Sequence, residues 1–394
     1  MYLLNKNNNA SIILAGILAL IVGVGVSRFA FTSLLPSMLD DFLSVSFAGY
    51  LASINYVGYL SGAIFAVFIK DINTKVKYFR IGMFLCVFTT VFLATTQNET
   101  VWMLSRIIAG FGSAMALVVG SAIVMTKLNM ESKTKAMGIH FSGIGFSILV
   151  CDLIMRAVFQ ANGSWENSWM ILTVFAFFAT IYSTYILSFD KEQKTASTRH
   201  NFDKSIFSMY VILLIIAYFA VGIGFVVFAT FLPDIINSLD GLEGYGSLTW
   251  TLVGLAGIPS CIFWMNLAHK KGSVNIIIVS MFLLFIGIMI PTLTNNVYLN
   301  LLSGVLYGGT FVGLVGLFLN VGGKLAGKNP VVLMGAMTTA YGIGQVVGPL
   351  YSVALIDYFK DYNFALYVTA GIVLFGIVLL FIAKNIATEE QKSL

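Results

Sequence analysis

The sequence predicts an all-α membrane protein of twelve transmembrane helices, arranged as two pseudo-symmetric six-helix bundles. Three observations predict it: the composition, the length of the apolar runs and the placement of the basic residues. Of 394 residues, 58% are hydrophobic and only 10% charged, with a mean hydropathy of +0.92. A soluble domain carries about a quarter charged residues because water must solvate its surface, so a chain this poor in charge faces hydrocarbon. The apolar runs match the roughly 20 residues that cross about 30 Å of lipid core. They are continuous rather than alternating, which selects helices over a barrel, since a helix satisfies its backbone polar groups within one segment.

Taken in order, the first run spans 11–38. It is too long for a signal-peptide core and shows no small-residue cleavage site before the next run, so it stands as helix 1 behind Lys6. Helices at 44–69 and 79–97 flank a loop carrying Lys70, Lys75, Lys77 and Arg80, and helices at 100–126 and 136–160 flank Lys127, Lys133 and Lys135. Helix 6, 168–188, leads into the one long polar segment, which carries Lys191, Lys194, Arg199 and Lys204. Helices at 206–236 and 246–268 follow, then Lys270 and Lys271, then 273–293 and 297–323, then Lys324 and Lys328. Helices at 331–358 and 364–383 are separated by Lys360, and Lys384 and Lys392 close the chain. Counted this way, 18 of the 22 Lys and Arg residues fall on one face, three (Arg28, Arg106 and Arg156) within helices, and Lys360 alone on the other face. This positive-inside asymmetry supports the count of twelve and puts both termini in the cytoplasm, as expected for a multi-pass protein of a bacterial inner membrane.

Cys86, Cys151 and Cys261 lie in apolar stretches without metal-ligand or redox spacing, so neither a disulfide framework nor a zinc site follows, and no cofactor is expected. The net charge of +5 is scattered among short loops, which argues against nucleic acid as a partner and for a bilayer. Residues 189–205 read as a cytoplasmic linker between halves at 1–188 and 206–394. Sliding the second half onto the first at an offset near 197 aligns Gly25 and Pro36 with Gly222 and Pro233, and Gly49 with Gly246. An offset of 198 superposes the loops after helices 2 and 8, and 199 sets Gly143 and Gly145 on Gly342 and Gly344. A nearly constant offset over separate landmarks marks a duplicated unit.

Two parallel six-helix repeats joined by a cytoplasmic linker resemble the major facilitator superfamily, over the whole chain. That family carries a G-x-L-A-D-R-x-G-R-type motif after helices 2 and 8. Here the second copy keeps Leu267, Ala268, the bases beside His269 and Lys270, and Gly272, while the first keeps Asp71 and Lys75. Arg106, Gly110, Gly112 and Ala114 on helix 4 are similar to the family's R-x-x-x-G-x-G-x-A pattern. GVGVSRFAFTSLLPSM on helix 1 and NYVGYLSGA on helix 2 resemble the YbfB-like branch. On helix 11, Gly335, Gly344, Gly348 and Pro349 resemble the antiporter motif, which the family places on helix 5. The resemblance implies a monomeric secondary transporter of a small molecule. It also implies a gating role for Asp71, Lys75, His269 and Lys270, a hinge at Gly344, Gly348 and Pro349, and a lean toward export.

Charges inside the bilayer are candidates for function because each is expensive there unless paired or wetted. By rise per residue, Arg28 lies about 25 Å from the inner start of its helix, Asp152 about 24 Å from that of helix 5, and Arg106 about 9 Å below the outer boundary. Asp152 and Arg156, four apart, share one helical face. They form either a structural ion pair or a proton-coupling pair in which Asp152 carries the proton. Arg28 has no partner on its own helix and meets Phe225 in the repeat; its anion is either Asp152 or a substrate carboxylate, phosphate or sulfonate. Arg106 serves either substrate or helix packing. Asp234 and Asp357 sit near outer helix ends and His140 near the cytoplasmic face. Uncharged lining candidates are Asn55, Tyr56, Tyr59, Trp250, Tyr307, Tyr341 and Gln345. Together these predict alternating access with proton-coupled efflux of a drug or metabolite, one that could bear an anionic group, and as the alternative uptake of an organic anion. The rival class is a membrane-embedded lipid-modifying enzyme. Against an enzyme stand three dispersed histidines, His140, His200 and His269, without a convergent acid or metal cluster; no phosphate-cradling loop for ATP is present either.

Overall fold

Short polar caps fix the start of six of the helices. In the computed structural model, which describes residues 4–128, 133–189, 208–325, 330–388 and 391, the side chains of Asn8, Ser44, Asp71, Asn98, Ser164 and Ser208 each accept a backbone N–H from the first turn of the helix that follows. These caps satisfy donors that lipid could not. Twelve helices among the described residues are long and apolar enough to cross a membrane. They are α1 (Asn9–Leu39), α2 (Val45–Phe68), α3 (Ile72–Thr95), α4 (Glu99–Lys127), α5 (Ala136–Gln160), α6 (Trp165–Ile186), α7 (Met209–Asn237), α8 (Tyr245–Lys271), α9 (Ser273–Leu293), α10 (Val297–Leu325), α11 (Leu333–Phe359) and α12 (Asn363–Ile386). No strand occurs among the described residues. The expected linker, from residue 190 onward, with its Lys191, Lys194, Arg199, His200 and Lys204, lies outside them, as do Lys328, Lys392 and the side chains of Lys133 and Lys135.

The largest departure from the sequence boundaries is at α3, which begins at Ile72 rather than at 79. Asp71 caps it by accepting the Thr74 N–H at 2.7 Å. Lys75, Lys77 and Arg80 therefore stand on a helix instead of in a loop. Long basic side chains on a first turn can reach the headgroup level, so hydropathy underestimates such helices.

The chain divides into two compact units, Met1–Ser197 and Thr198–Leu394. In the first, α1 packs on α5 and α6, α2 on α4, and α3 on α4 and α6; in the second, α7 packs on α11 and α12, α8 on α10, and α9 on α10 and α12. The tightest crossings rest on glycines. A side chain at Gly110 would collide with the Asn55 carbonyl on α2, and one at Gly308 with the Val253 carbonyl on α8. Small residues at such points let helix backbones touch, which replaces the missing hydrophobic drive between helices in lipid.

The two first helices differ in winding. α7 is an unbroken α-helix of 29 residues, whereas α1 widens into π turns from Ile21 to Phe29. A π turn moves backbone carbonyls out of their usual register and frees them for other donors. A second π stretch, Met115–Val119, lies in α4.

Candidate functional site

The π segment of α1 positions Arg28, whose side chain is buried. Its guanidinium carbon lies 3.8 Å from the centre of the Tyr59 ring and 5.1 Å from that of Tyr56, both on α2. Nε and Nη2 have no hydrogen-bond partner. No acid pairs with Arg28 among the described residues; of the two expected partners, Asp152 is engaged on its own helix. Each aromatic face contributes about 2 kcal/mol or more in a desolvated place, against the several kcal/mol that taking an ion out of water costs. The rings accept nothing from Nε–H and Nη2–H, so the compensation of Arg28 stays partial.

Arg106 is buried to the same degree but is satisfied. Its Nη1 donates to the Ser27 carbonyl at 2.8 Å, Nε donates to the Leu51 carbonyl at 3.5 Å, and its guanidinium lies 4.6 Å from the centre of the Phe31 ring. Asn55 donates to the same Ser27 carbonyl at 3.4 Å and to the Arg106 carbonyl at 2.8 Å. The widened turn of α1 thus ends in a carbonyl that accepts from α2 and α4 together. Hydrogen bonds to a charged group contribute about 1.5–3 kcal/mol each, enough to hold Arg106 as a brace between three helices. Asn55 keeps its Oδ1 buried without a hydrogen-bond partner.

Asp152 and Arg156 pair on α5, Nε to Oδ2 at 2.9 Å, with Asp152 1% exposed and Arg156 33% exposed. The i,i+4 spacing anticipated this geometry. What spacing alone leaves open is the neighbour. A Cβ on Gly25 of α1 would come within 2.8 Å of the Ser147 carbonyl and 3.0 Å of Cys151 Sγ, so the stretch of α5 just before Asp152 rides directly on α1, one turn before Arg28. Nearer the start of α5, His140 is buried with Nε2 hydrogen-bonded to Ser121 Oγ at 2.8 Å, and its Nδ1 lies against Gly16 without a hydrogen-bond partner. The imidazole therefore joins α1, α4 and α5.

In the second unit, Trp250, Tyr307, Tyr341 and Gln345 are all buried. Tyr341 stacks on Tyr218 at 4.6 Å and lies 6.0 Å from Phe225; Tyr307 stacks on Phe225 at 6.2 Å and donates its hydroxyl to the Phe225 carbonyl at 2.9 Å. Phe311 and Phe318 complete this column of rings. Gln345 Oε1 has no hydrogen-bond partner. Tyr307 and Tyr341 were expected to line the site, but the column that Tyr218, Phe311 and Phe318 build with them was not, because among 33 Phe and 17 Tyr residues no single ring stands out. Ser27 and Phe31 were not expected for another reason: a backbone acceptor and a ring face carry no sequence signal.

The residues expected at the gate have local tasks. Asp71 caps α3, and its backbone hydrogen bonds, led by Thr74, hold its carboxyl below the ordinary aspartate range. No ion pair joins it to Lys75 among the described residues. His269 and Lys270 stand in the last turn of α8, where positive charge complements the helix dipole. Gly344 meets the Phe219 carbonyl and Gly348 meets Val226, both on α7, and α11 continues through Pro349. At helix ends, Asp41 accepts from Trp165 Nε1 at 2.9 Å, and Asp234 accepts from the Tyr362 hydroxyl.

A twelve-helix membrane chain whose two halves repeat one helix pairing has the architecture of the major facilitator transporters. The chain belongs to that superfamily: the family described as "Uncharacterised MFS-type transporter YbfB" matches residues 20–381. It is similar to the "Uncharacterized MFS-type transporter YtbD" of Bacillus subtilis (strain 168), with 24% identity over 253 residues, a match that spans 64% of this chain and 62% of that relative. Among solved structures it resembles a mutant of the nucleoside transporter NupG, with a TM-score of 0.74 and 13% identity over 96% of this chain and 100% of that one. At that identity the likeness speaks for the fold. The family is one of transporters rather than enzymes.

Proposed function

We propose that this chain is a proton-coupled secondary transporter that exports a drug or metabolite by alternating access, with Asp152 as the proton carrier. The observation that carries the reading is the buried carboxyl of Asp152 paired at 2.9 Å with Arg156, whose own side chain is one-third exposed. Protonation would discharge Asp152 and release Arg156 Nε. The α5 backbone beside Asp152 rests on α1 at Gly25, so a shift there transmits to the helix that carries Arg28. An acid that is neutral in one state and ion-paired in the other gives the proton a different affinity in each, which is the requirement for coupling.

Substrate contact is assigned to Arg28, Tyr59, Trp250, Tyr341 and Gln345. Arg106 and Asn55 are assigned to substrate only through the Asn55 Oδ1 that remains open, since their donors are engaged with backbone. Both termini and the 189–205 linker are placed in the cytoplasm, the protein in a bacterial inner membrane as a monomer, and the halves at 1–188 and 206–394. Gly344, Gly348 and Pro349 are assigned to bending during the cycle, and Asp71, Lys75, His269 and Lys270 to the inner gate. The test is flux in proteoliposomes under an imposed pH gradient. Asp152→Asn, expressed and monodisperse, is expected to abolish gradient-driven flux; wild-type flux in that variant removes Asp152 from the mechanism. Uptake of an organic anion is the second reading, favoured by the Nε and Nη2 donors of Arg28 that have no hydrogen-bond partner.

A further inference from the structure

Both nitrogens of Arg28 that lack a hydrogen-bond partner are on the same side of the guanidinium. Nε–H and one Nη2–H point in parallel and form the side-on fork that matches the two oxygens of a carboxylate. The guanidinium carbon lies over the rings of Tyr59 and Tyr56, while the Nε and Nη2 edge has no hydrogen-bond partner. The other arginine of comparable burial, Arg106, spends its donors on backbone carbonyls. Asp152, the acid on the neighbouring helix, is tied to Arg156. A buried polar edge without a partner is a costly exception in a folded protein. Here the unpaired donors are the pair that would act together. At the matching point of the other half stands Phe225, packed among rings, so the repeat fold does not require a cation in this place.

We infer that the Nε/Nη2 edge of Arg28 is a carboxylate-binding fork, and that the transported substrate is a carboxylic acid held bidentately while the Tyr56 and Tyr59 rings keep the guanidinium plane from turning. The inference rests on the reading of the chain as a transporter and names the substrate class for it. The rings fix the fork in orientation, so lysine, a point charge on a flexible stem, does not replace it.

The experiment is ligand binding by purified full-length protein, read as thermal stabilisation and by calorimetry, with acids and their isosteric neutral amides compared: acetate with acetamide, benzoate with benzamide, succinate with succinamide. Inorganic phosphate serves as a further arm. Wild type, Arg28→Lys and Arg28→Gln are measured in nanodiscs of phosphatidylcholine and of phosphatidylglycerol. At least one acid is expected to stabilise wild type where its amide does not, with affinity falling about tenfold or more in Arg28→Lys and lost in Arg28→Gln. Ligand-free Arg28→Gln is expected to be monodisperse and to unfold near the wild-type temperature, which separates loss of binding from loss of fold. Silence of every acid, equal effects of acids and amides, or unchanged binding in Arg28→Gln overturns the fork. Stabilisation by phosphatidylglycerol or phosphate alone, dependent on Arg28, assigns the edge to a phosphate and overturns the carboxylate. Arg28-dependent acid binding without any flux in proteoliposomes overturns the transport reading and leaves the fork standing; flux of a cation indifferent to Arg28 does the reverse.

Discussion

The two halves of this protein use one scaffold with opposite electrostatics. In each, the fourth helix of the six reaches the backbone of the first: Arg106 donates to the Ser27 carbonyl at 2.8 Å, and Tyr307 donates to the Phe225 carbonyl at 2.9 Å. In each, a glycine on that fourth helix, Gly110 or Gly308, lies against a carbonyl of the second. At the repeat offsets Arg28 corresponds to Phe225, Arg106 to Gly304 and Asp152 to Tyr351. Tyr351 is hydrogen-bonded to Thr369 within its own half. The aromatic half shows that this helix packing stands without a buried ion. The ions in the other half are therefore additions to the scaffold, and buried charge that packing does not need points to function.

The strongest way to break the comparison is at its single deep acid. Asp152→Asn is expected to reduce gradient-driven flux to background, whereas Tyr351→Phe in the matching place is expected to leave most of it. Equal losses would erase the distinction between the halves. The shared scaffold is tested next. Gly110→Val and Gly308→Val both force a side chain into a facing carbonyl, and each is expected to destabilise by about 3 kcal/mol, the upper end of overpacking costs. Thermal unfolding of the two variants should agree closely, and a large disparity would mean that the crossings are not equivalent. Arg106→Gln removes charge-assisted bonds to α1 and α2 and is expected to cost about 2 kcal/mol. If Arg106 instead served only substrate, unfolding would stay at wild type while substrate affinity fell.

Arg28→Phe copies the aromatic half into the charged one. Replacing a poorly compensated buried ion by a ring of similar bulk is expected to be neutral or stabilising by about 1 kcal/mol, together with loss of acid binding. A marked drop in unfolding temperature would make Arg28 structural. The smallest effect is expected at Asp71. Its carboxyl titrates below the ordinary aspartate value when folded, so its contribution to stability is complete above the unfolded value of about 3.9 and disappears as pH falls through the lowered folded value. Asparagine caps a helix about as well as aspartate. Asp71→Asn should therefore leave stability near neutral pH unchanged and remove one small component of the acid-side loss, which unfolding scans between about pH 5 and 2 would detect.

Much of the frame was open to sequence reasoning and much of the site was not. The twelve spans followed from hydropathy, with errors confined to ends such as Ile72, where charged side chains sit on helical backbone. The Asp152 and Arg156 pair followed from spacing, because both partners lie on one helix. Arg28 and Arg106 looked alike in sequence, each an isolated cation in an apolar run. One proved braced and the other bare, and the residues that decide this, Ser27, Leu51, Tyr56 and Tyr59, lie on other helices or in the backbone.

By itself the sequence determined how many times the chain crosses the bilayer, the duplication, and which side chains are too costly to bury without cause. Transfer of residues from water to lipid is nearly additive along a segment, so a one-dimensional sum suffices. Only the tertiary structure decided which of those costly groups is satisfied. Hydrogen-bond partnership is a property of pairs, here between residues 79 positions apart, and it depends on a widened turn of α1 and on glycine crossings that bring the second and fourth helices onto it.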